Sequence, residues 1–174
     1  INEFGRALIE EFIEGREFTC LIAENPDDPK KTLTFTPVEF IFPKGESFKH
    51  YDMKWVEYEK MSVAVVNDAK IEKVLREQTA RVFKELGGNG YARCDYRMDA
   101  SGVIHMLEIN PNCGIFYPPS EPGSADFSLL NDPTNHTKFM KLIIRNAQNR
   151  QTRIAAEKII KRQTRKRVVE VEQM

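Results

Sequence analysis

A chain of 174 residues is one domain's worth, and 41% hydrophobic with 30% charged residues is the composition of a packed globular fold, not of a disordered or fibrous one. Lys and Arg number 26, as do Asp and Glu, so the chain as a whole is no electrostatic nucleic-acid binder. Three scattered cysteines, Cys20, Cys94 and Cys113, argue for reduced thiols and against a disulfide framework or a zinc site. No apolar run approaches a membrane span and no signal peptide opens the chain, so a cytosolic location is expected. The first residues are Ile1-Asn2-Glu3 rather than Met, so an excised piece or an incomplete gene model is expected.

Residues 7–14 run into Gly15 and predict a short strand entering a turn, followed by a strand over residues 17–23. Asn25, Pro26, Asp27, Asp28 and Pro29 form a turn cluster. Residues 33–42 predict an edge or bulged strand, because Pro37 has no N–H to give to a ladder; residues 43–47 predict a loop. Asn67 or Asp68 is placed to cap a helix reaching Leu86. Its Ile71, Val74, Leu75, Val82, Phe83 and Leu86 fall at three- and four-residue steps, a stripe for core packing, and Gly87-Gly88 ends it.

The stretch from Gly90 to Gly114 carries the most chemistry. Tyr91 to Met98 alternates with period two, Asp99-Ala100-Ser101-Gly102 supplies a turn, and residues 103–110 alternate again, which predicts a β-hairpin. Ala92, Cys94, Tyr96 and Met98 share one face, with Arg93, Asp95 and Arg97 on the other. In the second strand Val103, His105, Leu107 and Ile109 are expected together, with Glu108 and Asn110 opposite. A two-residue loop puts Arg93 across from Glu108, and a four-residue loop puts Asp95 there. Either way Arg93, Asp95, Glu108 and Asn110 converge on one face.

Facing carboxylates repel unless a cation lies between them. Hard oxygen ligands beside an arginine suit Mg2+ (or Mn2+) holding a polyphosphate. A wetted polar face is the plainer account of an isolated Asp and Glu in a hairpin. Residues 108–114, Glu-Ile-Asn-Pro-Asn-Cys-Gly, weigh against it, because they run from a strand straight into Pro- and Gly-containing chain, as loops leaving active sites do.

Through Gly90-Tyr-Ala-Arg-Cys-Asp-Tyr-Arg-Met-Asp99, Leu107-Glu-Ile-Asn-Pro-Asn112 and, upstream, Ile9-Glu-Glu-Phe-Ile-Glu-Gly-Arg-Glu-Phe-Thr19, the chain resembles the ATP-grasp superfamily. Within it the likeness is to the D-alanine–D-alanine ligase group, over most of residues 5–130. The resemblance implies the C-terminal subdomain of an α+β ATP-grasp fold. Its antiparallel sheet of about five strands would carry the helices over residues 71–86 and 139–144 on one face and the nucleotide on the other.

ATP is the implied cofactor. By resemblance Glu10 accepts from the adenine amino group, backbone around Glu11 and Ile13 completes that contact, and Glu17 binds the ribose hydroxyls. Residues 48–55, Phe-Lys-His-Tyr-Asp-Met-Lys-Trp, resemble a phosphate-binding element of the family. They assign Lys54 to phosphate, with Lys49 as the fallback and Trp55 close to the nucleotide. Asp95, Glu108 and Asn110 would hold two Mg2+ ions, and Arg93 would stabilise the developing acyl intermediate.

The implied activity is ATP- and Mg-dependent ligation of a small-molecule carboxylate to an amine through an acylphosphate. The resemblance covers the second half of the nucleotide clamp. An N-terminal substrate domain and the first ATP-grasp subdomain are therefore the expected missing partners, and the isolated chain is expected to bind nucleotide weakly and turn over poorly.

Beyond Gly114 the pattern departs from that group. Cys113 stands where proline is usual, and residues 115–124, Ile-Phe-Tyr-Pro-Pro-Ser-Glu-Pro-Gly-Ser, replace a His-Ser-containing segment that meets the second amino acid. The departure argues against D-alanine as the substrate. Phe116 or Tyr117 would line a different pocket or pack on the core.

Residues 131–134 open a C-terminal helix with Phe139, Leu142 and Ile143 as its docking face. After Arg145, Arg and Lys dominate to Arg167 with Glu157 as the lone acid, and Arg150-Gln-Thr-Arg153 returns as Arg162-Gln-Thr-Arg165. The expected division is a catalytic subdomain over residues 1–148 and a basic helical or disordered tail over residues 149–174. A solvated helix extension is the simplest reading of that tail. The alternative functions are a non-catalytic nucleotide-binding module and an interaction module acting through the tail. Nucleic acid is the partner such a tail could reach, and no membrane partner is expected.

Overall fold

The structure, a computed structural model, describes residues 5–49, 51 and 60–172, with backbone alone from residue 162 onward. In chain order it contains β1 (Arg16–Glu24), β2 (Thr32–Thr34), β3 (Val38–Ile41), β4 (Ser62–Val65), α1 (Ala69–Glu85), β5 (Tyr91–Met98), β6 (Ile104–Pro111), α2 (Ser124–Leu130) and α3 (Asn135–Glu172). The strands form one antiparallel sheet in the order β4-β3-β1-β5-β6, with β2 pairing the far end of β1 on the β3 side.

β2 and β3 are the expected strand over residues 33–42, cut in two. Phe35 still donates its N–H to the Leu21 carbonyl at 2.9 Å, but Pro37 has no N–H, and its carbonyl accepts from Val66 at 3.2 Å. Residues 7–14 form no strand, contrary to expectation. β1 is already paired with β2 and β3 on one side and β5 on the other, so it offers that segment no free edge. β4 has no counterpart in the sequence reading; four residues are too few for a period to show.

α1 is the helix the apolar stripe predicts. Asp68 caps it, its Oδ1 accepting from the N–H groups of Lys70 (2.8 Å) and Ile71 (3.2 Å). At the other end Gly87 takes a φ of 65°, and the N–H groups of Gly87 and Gly88 return to the carbonyls of Lys84 (3.1 Å) and Phe83 (2.7 Å). Leu75 packs among Phe18, Cys20, Cys94 and Tyr96, and Phe83 against Ile22 and Ala92. A buried 2.7 Å hydrogen bond between the hydroxyls of Thr79 and Tyr96 ties helix to sheet.

α2 and α3 cover Leu21 and Ala23 instead, through Ala125, Leu129 and Phe139. Because β1 alternates, Leu21 and Ala23 point away from Cys20 and Ile22. The antiparallel α+β sheet is as expected, but its two expected helices lie on opposite faces. The cause is in β1, where every residue from Glu17 to Ala23 is buried, so apolar side chains need cover on both sides. α3 continues without a break to Glu172, and its residues 151–161 are exposed. Among the described residues no helix is long and apolar enough to cross a membrane.

The β5–β6 hairpin corrects one detail. Met98 pairs with Ile104, Arg97 with His105 and Tyr96 with Met106; a bulge at Leu107 then brings Asp95 opposite Glu108 and Arg93 opposite Asn110. The turn spans residues 99–103, longer by one residue than the four-residue loop considered, and the bulge absorbs the difference. As a result Ile104 and Met106 join Ile109 on the core face, while His105 lies on the face of Arg97, not with Ile109.

Candidate functional site

Opposite α1, the sheet presents Glu17 and Thr19 of β1, Arg93, Asp95 and Arg97 of β5, and Glu108 and Asn110 of β6. Cross-strand register builds the cluster: Thr19 faces Asp95, Asp95 faces Glu108, and Arg93 faces Asn110. Asp95 sits at its centre. Its Oδ1 accepts from Arg93 Nε (2.8 Å) and Thr19 Oγ1 (2.6 Å), and its Oδ2 from Arg93 Nη2 (2.6 Å) and Asn110 Nδ2 (3.2 Å). The same amide donates to Glu108 Oε1 at 2.9 Å, so one side chain bridges the two acids.

Burial raises the pKa of Asp95, but the hydrogen bonds and charge of Arg93, the Thr19 hydroxyl and the charge of Lys49 together outweigh it. The carboxyl is held below the usual carboxylate range and stays ionised at neutral pH. A divalent cation needs such deprotonated oxygen ligands. Asp95 and Glu108 would supply carboxylates, and Asn110 would supply an amide oxygen on turning its side chain; facing the two acids, the amide presents Nδ2. Among the described residues no three His, Cys, Asp or Glu side chains gather to hold a metal by themselves. Two carboxylates and an amide are the donor set that suits Mg2+ when phosphate oxygens and water complete its shell, and the residues present fit that ion.

Glu17 lies two residues along β1 from Thr19 and is 7% exposed. Both of its oxygens are engaged: Oε1 lies 2.7 Å from Lys49 Nζ and Oε2 lies 3.0 Å from Arg97 Nη1. Lys49 stands over the Phe40 ring, 3.1 Å from its centroid. Burial pulls the pKa of this lysine down against the opposing charges of Glu17 and Asp95. Lys54, assigned to phosphate, lies outside the described residues, as do His50 and Trp55.

Glu10 and Glu11 are exposed in irregular chain and are not brought into the cluster. Ile13 meets it through its backbone carbonyl, which accepts from Arg97 Nε. Sequence reasoning gave no role to Thr19 or Arg97. Each sits two residues from a candidate on its own strand, which places it on the polar face, but its partners depend on cross-strand register.

Beyond β6 the Tyr91 hydroxyl holds the turn, donating to Asn112 Oδ1 (2.9 Å) and the Cys113 carbonyl (3.3 Å). Burial pushes the Cys113 thiol up to about 11, which leaves it protonated at neutral pH and removes it as a nucleophile. The following loop is strapped to α2 by Asp126, 1% exposed. Asp126 accepts from the N–H groups of Phe116 (2.8 Å) and Gly123 (2.9 Å) and lies 2.7 Å from His136 Nε2. Tyr117 packs so closely on Gly114 and Gly123 that a Cβ at either would lie 2.7 or 2.8 Å from it.

Comparisons with known proteins identify the family. Residues 3–126 match the family model described as D-ala D-ala ligase C-terminus. The chain is 34% identical over 127 residues to D-alanine--D-alanine ligase A of Mesorhizobium japonicum, covering 71% of this chain and 32% of that protein. It is 30% identical over 141 residues to D-alanine--D-alanine ligase of Halothermothrix orenii, covering 80% of this chain and 39% of that one. The fold is similar to that of D-alanyl-alanine synthetase A from Vibrio cholerae, with a TM-score of 0.60 at 21% identity, over 79% of this chain and 40% of that one. It is also similar to N5-carboxyaminoimidazole ribonucleotide synthetase from Thermotoga maritima, with a TM-score of 0.54 at 19% identity, over 79% and 31% of the two chains. The chain spans between three and four tenths of the length of each of these four proteins. The family match and the ATP-grasp sheet together make this chain a member of the D-alanine–D-alanine ligase C-terminal domain family.

Proposed function

We propose that this chain is the C-terminal half of the nucleotide clamp of an ATP- and Mg2+-dependent ligase that joins a small-molecule carboxylate to an amine. The observation that carries the reading is the convergence of Asp95, Glu108, Asn110 and Arg93 on one face of the sheet. Asp95, Glu108 and Asn110 would hold Mg2+, which when bound neutralises charge on the β- and γ-phosphates.

Arg93 is held by Asp95 and would stabilise negative charge developing on the acyl group during acylphosphate formation. Thr19 fixes the Asp95 carboxylate from the β1 side. Glu10, Glu11 and Ile13 would meet the adenine, Glu17 the ribose, and Lys54, or Lys49 in its place, a phosphate. Residues 149–174 would be an appended basic tail that takes no part in the chemistry. A cytosolic location, where ATP and Mg2+ are plentiful, belongs to the same reading.

The test is a titration of the chain with ATP and Mg2+, read by the fluorescence of Trp55, its one tryptophan. A Mg2+-dependent signal lost in the double variant Asp95→Asn, Glu108→Gln is the expected result. A signal of equal size in the double variant would refute the assigned metal ligands. No signal from a folded wild-type chain would shift the reading to an interaction module working through the exposed part of α3.

A further inference from the structure

Arg97 makes four hydrogen bonds on the polar face, as many as Asp95, yet nothing in the reading above gives it a task. It is 3% exposed. Its Nε donates to the Ile13 carbonyl, Nη2 to the carbonyls of Gly15 (3.0 Å) and Ser47 (2.8 Å), and Nη1 to Glu17 Oε2 (3.0 Å). Its guanidinium carbon lies 5.0 Å from the centre of the Phe12 ring, and Phe12 meets Phe48 edge-on at 5.7 Å.

One planar fork thus gathers three stretches of chain: the irregular segment before β1, the start of β1 and the loop after β3. The segment before β1 has no strand ladder to fix it. Gly15 shows how closely it is drawn in: φ is 144°, and a Cβ there would lie 2.0 Å from the Met98 carbonyl.

We infer that Arg97 is a positioning residue for the nucleoside end of the bound nucleotide. The inference rests on the proposed assignment of residues 10–17 to adenine and ribose. Arg97 orients the backbone of Ile13 and, with Lys49, fixes the Glu17 carboxylate, so the groups meant for base and sugar are set before the ligand arrives. It stands two residues from Asp95 on the same strand face, a rise of about 7 Å. One strand therefore sets the phosphate end and the nucleoside end in a fixed relation. A lysine cannot replace it, because an ammonium lacks the flat fork that reaches four acceptors in different directions.

The test compares Mg2+–ATP with Mg2+–tripolyphosphate, which lacks the nucleoside, by calorimetry on the whole chain. For Arg97→Lys, affinity for ATP should fall about tenfold, as expected for loss of charge-assisted hydrogen bonding, while that for tripolyphosphate should change less than about twofold. Phe12→Ala serves as a second variant, because Phe12 is 55% exposed and its loss leaves the buried charges intact. It should weaken ATP several-fold and tripolyphosphate hardly at all.

If both ligands weaken together, Arg97 supports the fold only and the inference fails. If wild type and both variants bind ATP alike, it fails as well while the nucleotide reading stands. If the wild-type chain binds neither ligand, the nucleotide reading itself fails and takes the inference with it.

Discussion

Asp95 draws hydrogen bonds from Arg93, Thr19 and Asn110, which offset the burial that would otherwise favour its neutral form. Its native pKa lies below the value of about 3.9 expected in the unfolded chain. Between the two values the unfolded state binds more protons, so stability rises with pH through that window. The contribution is fully present above the unfolded value and is lost as pH falls through the native one. Asp95→Asn should therefore flatten the stability curve below about pH 4, as measured by urea unfolding across a pH series. Asp132 has a depressed pKa as well and keeps its own share of the slope. An acid limb as steep in the variant as in wild type would contradict this account.

The same residues show what could be read without a structure. Strict alternation places Arg93, Asp95, Glu108 and Asn110 on one face under either loop length, so their meeting was legible. The role of Thr19 and the partners of Arg97 were not, because strand neighbours far apart in sequence are fixed only by packing.

At the level of elements, α1 announced itself by its stripe, its Asp68 cap and its glycine ending. α2 did not. It has seven residues, and Gly123 stands at its N-cap, a position where a side chain would have signalled the start. The bulge at Leu107 was equally hidden, since an extra turn residue compensates for it and leaves the pairing of Asp95 with Glu108 intact.

α2 matters because Asp126 straps the loop that follows β6. Asp126→Ala would strip buried partners from the Phe116 and Gly123 N–H groups and from His136. A loss of about 3 kcal/mol is expected, with faster hydrogen exchange at the amides of Phe116 and Gly123. Unchanged exchange at both amides would show that the loop is held by Tyr117 packing instead.

For the whole molecule, the class was legible but the layering was not. Apolar residues on both sides of β1, Cys20 and Ile22 against Leu21 and Ala23, call for helices on both faces, and α2 with α3 supply the second cover. On that face the helices pack on Leu21 and Ala23, and the polar cluster lies farther along the strands, at Thr19 and Asp95. The chain spans 32% and 39% of the length of the two ligases compared above.

The most direct test of the central claim replaces Mg2+ with paramagnetic Mn2+ in the presence of ATP and maps the broadening of backbone amide resonances in isotopically labelled chain. Broadening centred on Asp95, Glu108 and Asn110, fading toward α1 and absent from the Asp95→Asn, Glu108→Gln variant, is the predicted result. Broadening centred elsewhere, or none at saturating ATP and Mn2+, would contradict the account.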